Sequence, residues 1–294
     1  MSMTVGFIGL GNMGGPMALN LVKAGFAVRG FDTVAAAQDA ARAGGVTLAD
    51  TAAEAARGAD VVITMLPSGP IMLSVWQDVV PAMAAGALIV DCSTVDIDSC
   101  RKAHDLAAAS GLLTLDAPVS GGVGGAVAGT LTFMAGGSAE AFTRARPLLA
   151  VMGSNLAHCG DAGAGQAAKI CNNMILGISM IAVSEAFGLA DRLGLPRQAL
   201  FDVASKSSGQ CWSLTTYCPV PGPVPTSPAN RGYQPGFAAA LMLKDLRLSQ
   251  EAATGAGAAT PLGAAATALY ERMAEAGQGG RDFSAIFEML AGDA

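Results

Sequence analysis

Lys169 and Asn173 are the residues whose types and spacing speak most directly of chemistry. They stand four apart in Gly163-Ala-Gly-Gln-Ala-Ala-Lys-Ile-Cys-Asn-Asn173, so on a helix they share one face, one turn above each other. The run after them, Met174-Ile-Leu-Gly-Ile-Ser-Met-Ile-Ala-Val183, is apolar nearly all round, which marks a buried helix. A lysine in the first turns of a buried helix is costly unless it is neutral, paired or catalytic. A lysine so placed can serve as a general base, and an asparagine one turn along can hold a polar group without adding charge. His104 and His158 are the only histidines. Neither has a carboxylate partner evident in the sequence, so lysine is the preferred base.

A second group of residues has the form of a phosphate cradle. Gly9, Leu10, Gly11, Asn12, Met13 and Gly14 come after the β-rich run 3–8 and precede a helix pattern over 16–25. A strand over 27–31 then ends in Asp32, 23 residues after Gly9. In G-x-G-x-x-G, the first glycine makes a tight turn, the second lets the backbone approach a pyrophosphate, and the third lets helix pack on strand. The helix N-terminus supplies N–H groups and a positive dipole end. Asp32 would accept from the ribose hydroxyls and repel a 2′-phosphate, and Thr33 offers no guanidinium, so NAD is expected over NADP; Arg29 is the one basic residue nearby. Burial and a positive nicotinamide ring would both disfavour a charged ammonium on Lys169 and push it towards base duty.

The elements that must position these groups alternate. Helix patterns fall at 35–43, 71–83 and 96–110, with strands at 61–66, 88–90 and 112–115. Alternation of this kind predicts a Rossmann-type doubly wound α/β domain with a largely parallel sheet. Its ligands then lie beyond the carboxyl ends of the strands, at Leu66-Pro67 and Ser93-Thr94. Asp116-Ala-Pro-Val-Ser-Gly-Gly-Val-Gly-Gly-Ala126 reads either as a flexible loop or as a nest of N–H groups, beside Ser120, for a carboxylate. Segments 131–135, 139–149 and 156–158 complete a domain over 1–162. An all-helical domain over 163–294 comes next, joined by the long helix, with further helices at 198–206, 236–253, 261–274 and 283–290. The proline-rich stretch 219–236 reads as a long irregular loop.

Asn172, Asn173, Ser179, Ser184 and Glu185 interrupt the apolar run of the long helix. Only about 11 residues separate Asn173 from Glu185, against the ~20 a membrane span needs, so no membrane partner is expected. A net charge of −6 and a pI near 4.9 argue against a nucleic-acid partner. Six cysteines form no C-x-x-C pair, so no metal site is expected and free, mostly buried thiols are. No basic leader or cleavage pattern opens the sequence, which makes the cytoplasm the expected compartment.

Four blocks together, Gly9–Gly14, Asp116–Ala126, Gly163–Asn173 and Lys244-Asp-Leu246, resemble the β-hydroxyacid dehydrogenase family, in its order and spacing, over essentially the whole chain. Asp91-Cys-Ser-Thr94, Cys211-Trp212 and Tyr217-Cys-Pro-Val-Pro-Gly222 narrow the resemblance. It implies NAD-dependent oxidation of 3-hydroxyisobutyrate to methylmalonate semialdehyde, in valine breakdown. It further implies Lys169 as the catalytic residue, Asn173 holding the substrate, and Ser120, Gly121 and Gly122 on its carboxylate. Leu66, Pro67, Ile71, Thr94 and Lys244 would contact NAD, and the assembly would be a homodimer or homotetramer. Trp212 stands between a substrate contact and a core residue. Lys244 is read as a cofactor contact and not as Asp245's partner, since adjacent residues do not face each other on a helix. Two alternatives stay open: a dehydrogenase or reductase for another small β-hydroxy acid, such as serine or tartronate semialdehyde, and a dinucleotide-binding protein without turnover.

Overall fold

The computed structural model of the chain describes residues 3–292. Its contacts divide it into two compact units, one ending at Lys169 and one beginning at Ile170. The first contains β1 (Thr4–Ile8), α1 (Gly14–Lys23), β2 (Ala27–Phe31), α2 (Ala35–Ala43), β3 (Thr47–Leu48), α3 (Ala52–Ala56), β4 (Val61–Thr64), α4 (Gly69–Val79), β5 (Leu88–Asp91) and α5 (Ile97–Ala109). It continues through β6 (Leu113–Asp116), β7 (Val119–Ser120), α6 (Gly122–Ala128), β8 (Leu131–Gly137), α7 (Ala139–Met152) and β9 (Gly153–Gly160).

These strands form one sheet in the order β3-β2-β1-β4-β5-β6-β8-β7, with β9 on β8. Pairing is parallel from β3 to β6; β8 runs antiparallel to β6 and β7. Both faces are covered, which is why the strands read as unbroken apolar runs. Val5, Phe7, Val61, Ile63, Leu88 and Val90 face a core completed by Met17, Leu21, Leu148 and Met152. Ile8, Val62 and Ile89 face the other, with Met72, Trp76, Cys100 and Ala103. Strand order reverses between β1 and β4, so the crevice of the sheet lies at their carboxyl ends. The segment 116–126 is not an open loop: Ser120 closes β7, and Gly121 (φ +134) and Gly122 (φ +62) turn the chain into α6.

Helix α8 (Ala164–Arg192) is the long helix foreseen from the sequence, 29 residues without a break. Among the described residues it alone is long and apolar enough to cross a membrane, by length and composition. It is not buried all round, although its apolar sequence suggests so: less than half of the apolar stretch is covered within the chain, and Ile175 and Leu189 are exposed. Met180 is fully buried among Met242, Leu246, Tyr270 and Met273, and a Cβ on Gly177 would touch Leu246 at 3.0 Å and Met242 at 3.2 Å.

The second unit is otherwise α9 (Arg197–Ala204), α10 (Trp212–Thr215), α11 (Ala239–Ala256), α12 (Pro261–Glu275) and α13 (Ile286–Gly292), with 3-10 turns at Pro228–Arg231 and Phe283–Ala285. The proline-rich stretch 219–236 is ordered by its own side chains. Ser227 Oγ donates to Cys218 O at 2.5 Å, Tyr233 OH to Pro219 O at 2.8 Å, and Asn230 accepts from Gly222 N and donates to Val224 O. Its own Val220 and Tyr233 are buried. Asp282, fully buried, ties this stretch to the Phe283–Ala285 turn by accepting from Tyr217 OH, Gly236 N, Phe237 N and Ser284 N and Oγ.

Candidate active site

The glycine loop comes directly after β1 and is built by close approach. A Cβ on Gly9 would lie 2.2 Å from Met65 O, just past β4, and Gly9 holds φ +92. A Cβ on Gly14 would lie 1.9 Å from Gly9 O. At Gly11 a Cβ would meet nothing within 4 Å. Two glycines are therefore required by the protein's own packing, and the third opens onto space that a phosphate can take. Leu10 is buried, Met13 is partly covered, and Gly11 and Asn12 are exposed.

Asp32, at the end of β2, faces this loop. Its Oδ2 accepts from Leu10 N at 2.6 Å and its Oδ1 from Val34 N at 2.8 Å. Each oxygen keeps a lone pair, so the carboxylate both shapes the loop and remains an acceptor for hydroxyl groups. Arg29 turns its guanidinium to the carbonyl of Arg57, away from any role in neutralising a 2′-phosphate beside Asp32. Gly11, Asn12, Asp32 and Val34 line one cavity of about 650 Å³ together with residues of α1 and α2. The described residues thus fit a dinucleotide with a free ribose 2′-hydroxyl.

At the ends of β4 and β5 a buried polar chain fixes the neighbouring loops. Asp91 Oδ1 accepts from Thr64 Oγ1 and Ser93 Oγ, both at 2.6 Å, and Ser93 Oγ accepts from Leu66 N at 2.7 Å. Trp76 Nε1 donates to Thr64 Oγ1 at 3.3 Å. Asp91 Oδ2 is buried without a hydrogen-bond partner. Burial outweighs these donors and pushes the Asp91 carboxyl up to about 6, with the Asp116 charge adding to it. The network fixes the Leu66 backbone and the Ser93 side chain, whose chain neighbours are Pro67 and Thr94; Ile71, in α4, is 45% exposed.

Asp116 organises the start of α8. Its Oδ1 accepts from Gly163 N at 2.8 Å and its Oδ2 from Gln166 N at 2.9 Å, a charged cap on the orphan N–H groups of a helix start. His104 Nε2 lies 3.1 Å from Asp116 Oδ1, and His104 Nδ1 lies 2.6 Å from Thr114 Oγ1. This corrects the expectation that His104 lacks a carboxylate partner: the partner lies on the adjacent strand, which a helix pattern does not reveal. With both ring nitrogens engaged and 6% exposure, His104 is a brace and not a competing base. Cys100 joins His104 and Asp116 within 4.8 Å. Burial and three carboxylates push its thiol far up, and the other ligand atoms already hold hydrogen bonds, so packing accounts for the trio. Of the six cysteines, all free, Cys92, Cys100 and Cys218 are buried and Cys159 and Cys171 are exposed. His158 Nε2 donates to Gly137 O at 2.7 Å, and the ring stacks on Phe142.

One turn beyond the cap, Lys169 is 7% exposed. Asn173 lies next on the same face of α8 and is 1% exposed. In the second unit the Asn173 amide donates to Asp245 Oδ2, and Asp245 Oδ1 lies 3.4 Å from Lys244 Nζ. This corrects the expectation that Lys244 and Asp245 do not meet: the long lysine side chain curls back to its neighbour, while its Cβ still points elsewhere. Lys244 is a third exposed and Asp245 nearly buried. Trp212 is 49% exposed and stacks on Tyr217 at 4.8 Å, so it is not a core residue. Tyr217 donates to Asp282, and burial together with that carboxylate holds its hydroxyl far above the usual range. Asp116, Gln166, Tyr217 and Asp282 were missed as organisers. Asp116 and Gln166 lie inside the blocks Asp116–Ala126 and Gly163–Asn173, but nothing in their spacing says that they bond.

A strand-order reversal that admits a phosphate at Gly11 and excludes side chains at Gly9 and Gly14 is the mark of the dinucleotide-dependent oxidoreductases. Comparison with known proteins narrows the class. Residues 4–160 match the family described as the NAD binding domain of 6-phosphogluconate dehydrogenase, and residues 163–290 that described as the NAD-binding domain of NADP-dependent 3-hydroxyisobutyrate dehydrogenase. The chain is 52% identical over 287 residues to a probable 3-hydroxyisobutyrate dehydrogenase of Mycobacterium tuberculosis, covering 98% of this chain and 97% of that one. It is 47% identical over 289 residues to an NAD-dependent L-serine dehydrogenase of Pseudomonas aeruginosa, covering 97% of each. A solved structure of Mycobacterium tuberculosis 3-hydroxyisobutyrate dehydrogenase with L-serine superimposes with a TM-score of 0.95 at 51% identity, covering 99% of both chains. The chain belongs to the 3-hydroxyisobutyrate dehydrogenase family of NAD-dependent β-hydroxyacid dehydrogenases.

Proposed function

We propose that this enzyme oxidises 3-hydroxyisobutyrate to methylmalonate semialdehyde in valine breakdown, with Lys169 as general base. The observation that carries the reading is the placement of Lys169: buried, and one turn beyond a helix start that Asp116 clamps to the sheet. Bound NAD supplies the hydride acceptor. Lys169 Nζ takes the hydroxyl proton as the C–H electrons leave, so that the alcohol becomes a carbonyl. Asn173, held by Asp245, orients the hydroxyl, and Ser120 with the N–H groups of Gly121 and Gly122 receives the carboxylate. Trp212 is a further substrate contact. Gly9–Gly14, Asp32, Leu66, Pro67, Ile71, Thr94 and Lys244 hold the dinucleotide.

L-Serine is the second reading. One relative is named for it and one solved relative was studied with it; it carries the same carboxylate and β-hydroxyl. Ile175 (65%), Ala182, Ala186 and Leu189 (61%) are exposed along one face of α8 and support a homodimer or homotetramer, since a contiguous exposed apolar patch marks an interaction surface. The cytoplasm remains the proposed compartment.

The test is NADH formation from 3-hydroxyisobutyrate and from L-serine, with NADP in parallel and Lys169→Ala beside the wild type. Removing a general base costs about 10²- to 10⁴-fold in rate, with NAD binding retained. A higher kcat/KM on serine changes the substrate and leaves the mechanism. Full activity in Lys169→Ala refutes the base.

A further inference from the structure

Gln166 is fully buried in the first turn of α8, three residues before Lys169. Both ends of its side-chain amide are used. Nε2 donates to Ser93 O at 2.8 Å, and Oε1 accepts from Val95 N at 3.1 Å. Its own N–H is held by Asp116. The residue between its two bonded positions is Thr94. One side chain therefore grips the backbone on both sides of Thr94, within the β5–α5 loop, while its main chain is pinned to the end of β6. A glutamine is the residue for this: it offers a donor and an acceptor on one planar group, without charge.

We propose that Gln166 is a positioning residue for the dehydrogenase reaction, holding the Ser93–Val95 backbone in fixed register with the helical turn that presents Lys169. The proposal rests on the roles given under Proposed function to Thr94, as a cofactor contact, and to Lys169, as base. Those two residues are far apart in the chain, and the glutamine amide is a direct link between the segments that carry them. Its purpose is geometric. Displacement of a reacting group by about 1 Å costs about 10²-fold in rate, so a clamp of this kind governs kcat more than cofactor affinity.

The test uses Gln166→Glu and Gln166→Leu beside the wild type and Lys169→Ala. In its neutral form the introduced carboxyl donates to Ser93 O and accepts from Val95 N, as the amide does. When it ionises, the donor is lost. Asp116 on β6, Asp91 on β5, Asp96 beside Val95 and burial favour the neutral form; Lys169 on its own helix and Arg101, which packs from α5 against Gly163, oppose them. The ratio of Gln166→Glu to wild-type kcat is expected to fall about 10- to 100-fold as pH rises through that ionisation. The primary deuterium isotope effect should rise over the same range, because hydride transfer becomes limiting. Gln166→Leu should be low at every pH, with an NAD dissociation constant changed far less than kcat.

A merely structural glutamine would lower the melting temperature without this pH-dependent ratio or isotope effect. A ratio that is flat with pH, or a loss found wholly in NAD binding, overturns the proposal; if Gln166→Leu does not fold, Gln166→Glu decides alone. An active Lys169→Ala instead overturns the reading of the site. An inactive Lys169→Ala beside wild-type behaviour in the glutamine variants overturns only the clamp.

Discussion

Gly11→Ala and Gly14→Ala are the same chemical change three residues apart, and the structure gives them opposite consequences. A methyl at Gly14 would lie 1.9 Å from Gly9 O and 3.0 Å from the Phe7 ring. Ordinary contact begins near ~3.5 Å, so the loop must open by more than an ångström. Overpacking of that kind costs about 1–3 kcal/mol, or roughly 2–5 °C in melting temperature for a chain of this size. A methyl at Gly11 meets nothing within 4 Å, and Gly11 is not among the positive-φ glycines. There alanine reduces the freedom of the unfolded chain and changes stability by no more than about 1 kcal/mol, in the favourable direction. It does intrude where a pyrophosphate would lie, and we expect NAD binding at least tenfold weaker, about 1.4 kcal/mol. With NAD at ~100 times the wild-type dissociation constant, ligand binding stabilises the wild type by about 2.7 kcal/mol and Gly11→Ala by about 1.4. Thermal unfolding with and without NAD measures both numbers. A Gly11→Ala protein with the full NAD-induced rise in melting temperature, or a Gly14→Ala protein as stable as wild type, refutes the reasoning.

Two further outcomes arise from buried carboxylates. Asp116→Asn puts an NH₂ where one acceptor stood and turns it on the N–H of Gly163 or Gln166. With an orphaned buried donor at about 1–3 kcal/mol and a lost charge at a helix start at up to about 1, melting should fall by several degrees; an unchanged value by calorimetry would contradict the cap. Asp91, raised from 3.8 to about 6, binds its proton more tightly folded than unfolded. Its contribution is therefore fully present below about pH 4 and is lost as pH rises through about 6. Asp91→Asn should remove that loss, which urea titrations of both proteins at pH 4 and pH 7 would show as a smaller difference in the variant.

The local parts of the site were legible because they obey local rules. The strand at Ala27–Phe31 and the helix at Ala35–Ala43 lie where the sequence pattern put them, and the turn at Gly9–Gly14 comes from three glycines at fixed spacing. That a long helix carries Lys169 and Asn173 was readable from the apolar run after them, and α8 spans 29 residues. The long-range bonds were not. His104 meets Asp116, and Gln166 meets Ser93 and Val95, only because β5 and β6 lie side by side and α8 begins at their carboxyl ends. Periodicity gives the face of a helix and says nothing of which strand it meets. The stretch 219–236 was opaque for a related reason. Its prolines signal a loop, but its order comes from Ser227, Asn230 and Tyr233 bonding to backbone groups close in sequence. Lys244 curling onto Asp245 shows that a rule about Cβ directions does not bind a side chain of four methylenes.

The clamp at the start of α8 also bears on how such a domain can be transplanted. The family match to the dinucleotide-binding part stops at residue 160, yet Asp116 finds two of its donors at Gly163 and Gln166, and the Ser93–Val95 backbone finds its partner at Gln166. A chimera spliced at residue 160 would leave one buried carboxylate, one carbonyl and one N–H waiting for a foreign helix to satisfy them. A splice placed after Lys169 carries the whole joint with it. In recombination, natural or engineered, the transferable module is the sheet together with the first turn and a half of a helix that sequence comparison assigns to its neighbour.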